Sequence, residues 1–210
     1  NRHVMTISAT VLRVPPTLPL RRERWELPDG DFLDLDFLDG PTPDTPLLLC
    51  CHGLEGSSRA GYVLEALAQA RAHGLAGAAL NFRSCSEEEN RLPRLYHSGE
   101  TSDLAHVIDR LIAARPDRPL ALLGFSLGGN VVAKYLGERG DAVPEAVRAA
   151  AVVSVPFDLA GCSVSIDGPG LFALLYRERF LRKLRPKALR KLQRFPSLFD
   201  GERVRRARLL

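Results

Sequence analysis

The chain has 210 residues, 45% hydrophobic and 26% charged, which is ample for one core and argues against disorder. No apolar run approaches the roughly 18 residues of a membrane span, and the opening NRHVMTIS lacks the pattern of a secretory leader. Four cysteines (Cys50, Cys51, Cys85, Cys162) without C-x-x-C spacing read as free thiols, so a reducing cytoplasm is the expected compartment. The net charge of +4 is uneven. Residues 177–208 carry thirteen Lys/Arg and three acids, a balance of +10, which leaves −6 for the remainder. Such a patch suits nucleic acid or anionic lipid. No aromatic-rich RNA motif or zinc-finger spacing accompanies it, so a solvated helical face and no nucleic-acid partner are expected.

Residues 1–20 end in the proline-rich VPPTLPL, an irregular approach segment. Trp25 and Leu27 alternate with polar residues, Pro28-Asp29-Gly30 makes a turn, and Phe32, Leu33, Leu35, Phe37 and Leu38 follow. This predicts a β-hairpin, with Asp31, Asp34 and Asp36 turning one face to water. PLLLCC is a short apolar run of the kind that forms a buried parallel strand. Ser57-Ser58 can cap a helix over Val63, Ala66, Leu67 and Ala70, closed by Gly74. AGAALNF predicts another strand, and Arg83–Gly99 a long polar loop. Leu104, Val107, Ile108, Leu111 and Ile112 mark an amphipathic helix between Thr101 and Pro116. LALLGF is a strand followed by a helix from about Leu127 to Leu136, and AAAVVSV is a further strand. Strands alternating with helices call for an α/β fold, a mostly parallel sheet with helices on both faces. After Val155 the pattern changes to basic helical sequence over 171–194, interrupted by Pro186.

The chemistry concentrates in Gly124-Phe125-Ser126-Leu127-Gly128. G-x-S-x-G is common as a bare pattern, but here a buried strand precedes it and a helix follows. That turn lifts a serine hydroxyl out of the sheet edge, above unpaired N–H groups at the helix start. Ser126 is the candidate nucleophile. His52-Gly53-Leu54-Glu55-Gly56, after an earlier strand, can supply the other half of an oxyanion hole, with the N–H of Leu54 paired with that of Leu127. As a plain glycine turn with a hydrogen-bonded His52 this loop would be unremarkable; its pairing with Gly124–Gly128 favours the functional reading.

Together, HGLEGSS, NFRSCSEEENRLPRLYHSGETSDL and GFSLGGNVVAKYLGE resemble the YheT-like α/β-hydrolases, a group that includes the ABHD one-to-three type proteins. The resemblance runs from NRHVMTISATVLR through VSVPFDL into the basic helices. It implies an α/β-hydrolase core over 1–160 and, over 161–210, the beginning of a helical cap, with the C-terminal strands missing. It further implies a serine esterase or lipid acyl hydrolase acting on a small-molecule or lipid ester without cofactor or metal. Tyr96, His97, Ser98 and Gly99 would lie in a signature loop near the active-site floor, with His52 and Gly53 as pocket residues of the oxyanion loop, and the basic helices over 171–194 could touch a membrane surface. Two departures stand out. Ser84 and Glu87 occupy positions where glycines are expected, at a cost if either needs positive φ. The triad order of this fold is Ser, then Asp or Glu, then His, yet His3, His52, His73, His97 and His106 all precede Ser126. His97 is the one tempting substitute, with a structural role the better reading; Asp158 reads as a turn or cap residue and not as the triad acid. The expectation is therefore a shortened, impaired serine hydrolase. A non-catalytic binding protein and an acyltransferase remain as alternatives, and the oligomeric state is open.

Overall fold

The computed structural model describes residues 14–209; His3 and the opening NRHVMTISATVLR, to which part of the resemblance belongs, lie outside the described residues. The chain divides into two compact units, one ending at Val155 and one beginning at Pro156. The first is built on a six-stranded sheet. Its strands are β1 (Arg21–Glu26), β2 (Phe32–Leu38), β3 (Leu47–Cys51), β4 (Ala76–Asn81), β5 (Leu120–Phe125) and β6 (Val147–Val153). Their spatial order is β1-β2-β4-β3-β5-β6. β1 and β2 form the expected hairpin, turned by Gly30 at φ +83°. β2 runs antiparallel to β4, whereas β4, β3, β5 and β6 are parallel.

Helices α1 (Gly61–Ala72), α2 (Ser102–Ala114) and α3 (Leu127–Arg139) provide connections between the parallel strands. The pleat sends successive side chains of β3 to opposite faces. Leu49 and Cys51 join Leu104, Val107 and Ile108 of α2 and Val131, Val132 and Tyr135 of α3 in one core. Cys50 packs on the other face with Val63 and Leu67 of α1. Burial pushes the Cys50 thiol up to about 12, so it stays a protonated, apolar core group. The serines 57 and 58 do not cap α1, which begins after Ala60 without a side-chain cap. Ser58 is instead buried, and its hydroxyl donates to Asp36.

The acidic face of β2 does not meet water. Asp31, Asp34 and Asp36 are 0%, 1% and 0% exposed, because the hairpin register sets Arg22 opposite Asp36 and Arg24 opposite Asp34 and the Arg83–Gly99 loop supplies further donors. Arg24 is bidentate on Asp34 at 2.8 and 2.9 Å, and Arg22 on Asp36 at 3.0 and 2.9 Å. From the loop, Ser86 donates to Asp34 at 2.6 Å, Asn90 to Asp31 at 2.8 Å and the Arg91 amide to Asp31 at 2.9 Å. Arg83, 2% exposed, grips Asp103 at the start of α2 with two bonds of 2.7 Å and reaches Asp29 at 2.8 Å and Asp31 at 3.2 Å in the hairpin turn. A carboxylate row buried in this way is tolerable only because each oxygen is paired.

The second unit comprises α4 (Leu159–Asp167), α5 (Leu171–Arg194) and α6 (Gly201–Arg206). Asp158 caps α4 by accepting from the Gly161 amide at 2.8 Å, the role its position suggested. Contrary to the expected interruption, α5 runs unbroken through Pro186. Proline removes one i→i−4 bond, and the turns on either side continue the helix.

Two outcomes follow. Arg83→Ala removes the buried cation that joins Asp31 and Asp103, leaving Asp103 with the more distant Arg94 at 3.8 Å, and is expected to cost about 3–5 kcal/mol in urea unfolding. Burial alone would raise the pKa of Asp31, Asp34 and Asp36, but their hydrogen bonds and arginine partners hold all three below the ordinary 3.8. Their contribution to stability is complete above that ordinary value and is lost as pH falls through the lower folded-state values. The urea midpoint of the chain should thus drop as pH is taken from 6 downward through about 4 and below, and less steeply in an Asp34→Asn/Asp36→Asn variant.

Candidate active site

Ser126 occupies the single residue between β5 and α3, at φ 51° and ψ −118°. This left-handed backbone is strained for a residue with a side chain, and such strain concentrates at functional sites. Two glycines make it attainable. A Cβ on Gly124 would come within 2.5 Å of the Gly128 carbonyl, and one on Gly128 within 2.4 Å of the Cys51 carbonyl. The turn is braced by the Ser126 amide donating to the Val153 carbonyl at 2.8 Å and by the Asn130 amide donating to the Ser126 carbonyl at 3.1 Å.

The loop after β3 packs against this turn. A Cβ on Gly53 would stand 3.2 Å from Ser126 Cβ, so the backbones of the two loops meet. Their meeting place follows from topology. The chain leaves β3 toward β4 on one side and leaves β5 toward β6 on the other, so the crevice between β3 and β5 is the switch point where α/β sheets bind ligands at their C-terminal edge. Among the described residues, neither the Leu54 nor the Leu127 amide donates to a protein acceptor.

The loop is held by side chains around it. His52 is buried; its Nδ1 donates to the Gly53 carbonyl at 2.8 Å and its Nε2 accepts from the Phe82 amide at 3.2 Å. Both ring nitrogens are thus occupied in a neutral imidazole. The Gly53 amide donates to Tyr62 Oη at 3.0 Å. Glu55 sits at φ 54°; its amide donates to Tyr96 Oη at 2.7 Å, and the same hydroxyl donates to its carboxylate at 2.8 Å. Burial, with Cys85 and Glu55 nearby, pushes the Tyr96 phenol well up, which keeps that proton in place. Phe82 stacks on Tyr96 with centroids 5.3 Å apart. His97, by contrast, is exposed and accepts from the Gly99 amide at 3.2 Å. Ser84 and Glu87 do adopt positive φ, 59° and 78°.

A family model described as the alpha/beta hydrolase fold matches residues 46–199. The chain belongs to that family. Among its relatives, Escherichia coli YheT is 37% identical over 94% of this chain and 57% of its own length. The phospholipase ABHD3 of Bos taurus is 29% identical over 92% of this chain and 48% of its own. These are YheT- and ABHD3-like α/β-hydrolases, and this chain is one of that kind. It spans about half the length of the curated relatives it matches. In fold it is similar to an esterase from Pyrococcus furiosus, with a TM-score of 0.62 at 17% identity over 80% of this chain and 66% of that one.

Of the residues singled out in this α/β-hydrolase sequence, Ser126, His52, Gly53, Leu54 and Leu127 come together at the β3–β5 crevice, with Tyr96 reaching Glu55 from below. His97 does not join them. Tyr62 and Phe82 were not apparent as site residues in the sequence, and Glu55 stood out only as a member of the candidate oxyanion loop. Tyr62 looks like part of an amphipathic helix, and nothing in the spacing connects Phe82 to His52 across thirty positions. Among the described residues the Ser126 hydroxyl has no imidazole partner. His73 donates to the Gln69 carbonyl at the end of α1 (2.8 Å), and His106 lines a cavity of about 500 Å³ with Leu27 and Pro28. A second cavity, about 470 Å³, is lined by Trp25, Phe37, Leu47, Gly77 and Arg110, at the opposite end of the parallel strands from Ser126. Neither of these two cavities is lined by Ser126; backbone geometry is what marks the site.

Replacing Ser126 by glycine relieves the left-handed strain and is expected to raise stability by about 1 kcal/mol in denaturant titration. Gly128→Ala should lower it by about 1–3 kcal/mol, since the methyl group meets main-chain carbonyls that cannot yield.

Proposed function

We propose that this chain carries the nucleophile and oxyanion hole of a serine hydrolase acting on carboxylic esters of small molecules or lipids. In this reading Ser126 Oγ attacks the ester carbonyl, its proton passes to a base, and the carbonyl π electrons move onto oxygen. The Leu54 and Leu127 amides receive that oxyanion; each such donor typically contributes about 2.7–4 kcal/mol to lowering the barrier. Collapse of the tetrahedral species expels the alcohol, leaving an acyl-Ser126 ester that water hydrolyses. The observation that carries the proposal is the strained Ser126 backbone at the switch point, packed against the loop after β3, while the Leu54 and Leu127 amides have no protein acceptor among the described residues. The names of relatives, among them a phospholipase, support an ester substrate.

In this reading the base is none of His52, His73, His97 or His106; the bonds His52, His73 and His97 make elsewhere and the His106 position beside Leu27 and Pro28 support that. The 210-residue chain is accordingly expected to turn over short p-nitrophenyl esters little or not at all.

Prolonged incubation with a fluorophosphonate, followed by intact mass and peptide mapping, tests the nucleophile. One adduct on Ser126, absent in Ser126→Ala, is expected. Modification elsewhere, or none while a radiolabelled ester analogue still binds, would favour a binding protein instead. Ester exchange into an added alcohol in preference to water would make the activity acyl transfer.

A further inference from the structure

The second unit has an uneven surface. Its large exposed apolar side chains cluster at the junction of α4 and α5 and in the segment leading to it: Phe157 (76% exposed), Val164 (73%) and Leu171 (66%), with Leu159, Leu174 and Leu175 beside them in sequence. From 159 to 176 there is no Lys or Arg and one acid, Asp167; from 177 to 194 there are nine Lys/Arg and one acid, Glu178. The two helices meet at a bend of 108°, and no single helix among the described residues is long and apolar enough to cross a membrane.

The exposed stripe of α5 is continuous. Leu171, Leu175, Arg179, Arg182 and Arg190 are all exposed, and at 100° per residue they fall within one face of the helix. That stripe begins apolar and turns cationic, and the cationic part, Arg179 to Arg190, extends for roughly 17 Å at 1.5 Å per residue. We infer that the α4–α5 helix pair docks on the surface of an anionic lipid bilayer, the apolar junction entering the headgroup boundary and the arginine stripe lying along the phosphates. Charge complementarity selects this occupant. A second copy would bring like charges together. A nucleic-acid duplex would answer the arginines but leave six exposed apolar side chains against water and phosphate. An anionic interface takes both parts of the stripe at once. The inference is independent of Ser126 and stands or falls apart from the hydrolase reading.

Co-sedimentation of the 210-residue chain with vesicles of phosphatidylcholine, alone or mixed with phosphatidylglycerol, provides the test. Binding to the mixed vesicles should be at least about tenfold tighter and should weaken with added salt. Replacing three exposed cations, Arg179→Gln/Arg182→Gln/Arg190→Gln, should lower affinity by about 100-fold, at roughly fivefold per arginine. Leu171→Ser/Leu175→Ser should weaken binding while keeping its salt dependence, and offers a separate reading if the arginine variant loses helix content by circular dichroism. Ser126→Ala should bind as the parent does. Equal binding to both vesicle types, binding untouched by both variants, or no binding overturns the proposal. Self-association that buries the stripe, or tighter binding to duplex DNA than to mixed vesicles at the same salt, overturns it in favour of those partners.

Discussion

The first unit depends on a backbone contact that leaves no room for side chains. Where β5 turns into α3, the Gly128 position lies so close to the Cys51 and His52 carbonyls that a methyl group would overlap them. This closeness fixes the loop after β3 against the turn carrying Ser126, and it forces Ser126 into a left-handed conformation. The Ser126 turn and the loop after β3 then meet at one crevice, and bonds with Tyr62, Tyr96 and Phe82 hold that loop in place. The parallel register of β3 with β5, Cys51 opposite Gly124, is what brings both loops to the same height.

A second constraint supports that arrangement from the side. The buried carboxylates of β2 tie the hairpin to the Arg83–Gly99 loop, and Arg83 ties both to the start of α2. The same loop carries Tyr96, whose hydroxyl holds Glu55 by amide and carboxylate. The segment that resembles the YheT-like family most specifically is therefore the connection between an ionic network at the sheet edge and the candidate oxyanion loop. Left-handed backbone at Ser84 and Glu87 shows that the loop keeps its path even where side chains replace the glycines expected there, at a conformational cost the surrounding hydrogen bonds must offset.

The two units differ in physical character. The first buries a network of paired acids and arginines. The second carries most of its cations on the outside of helices that begin apolar and continue basic, with Lys187 and Lys191 buried. That contrast explains why net charge alone, +4, says little about either.

Much of this was legible from residue order. Short apolar runs followed by helical periodicity point to a parallel α/β sheet because strands covered on both faces read as continuous hydrophobic runs, and glycines flanking a serine between strand and helix point to a sharp turn because few other residues permit one. The acidic alternation of β2 was misleading: alternation signals which side chains share a face, and whether that face meets water depends on what folds over it. Arg22, Arg24 and a loop fifty residues later do so, a pairing set by hairpin register and chain return. The roles of Tyr62, Glu55 and Phe82, and the two hydrogen bonds that hold His52 neutral, were likewise decided only in three dimensions. Local propensity acts between near neighbours, whereas these contacts join residues that only the closed sheet brings within bonding distance.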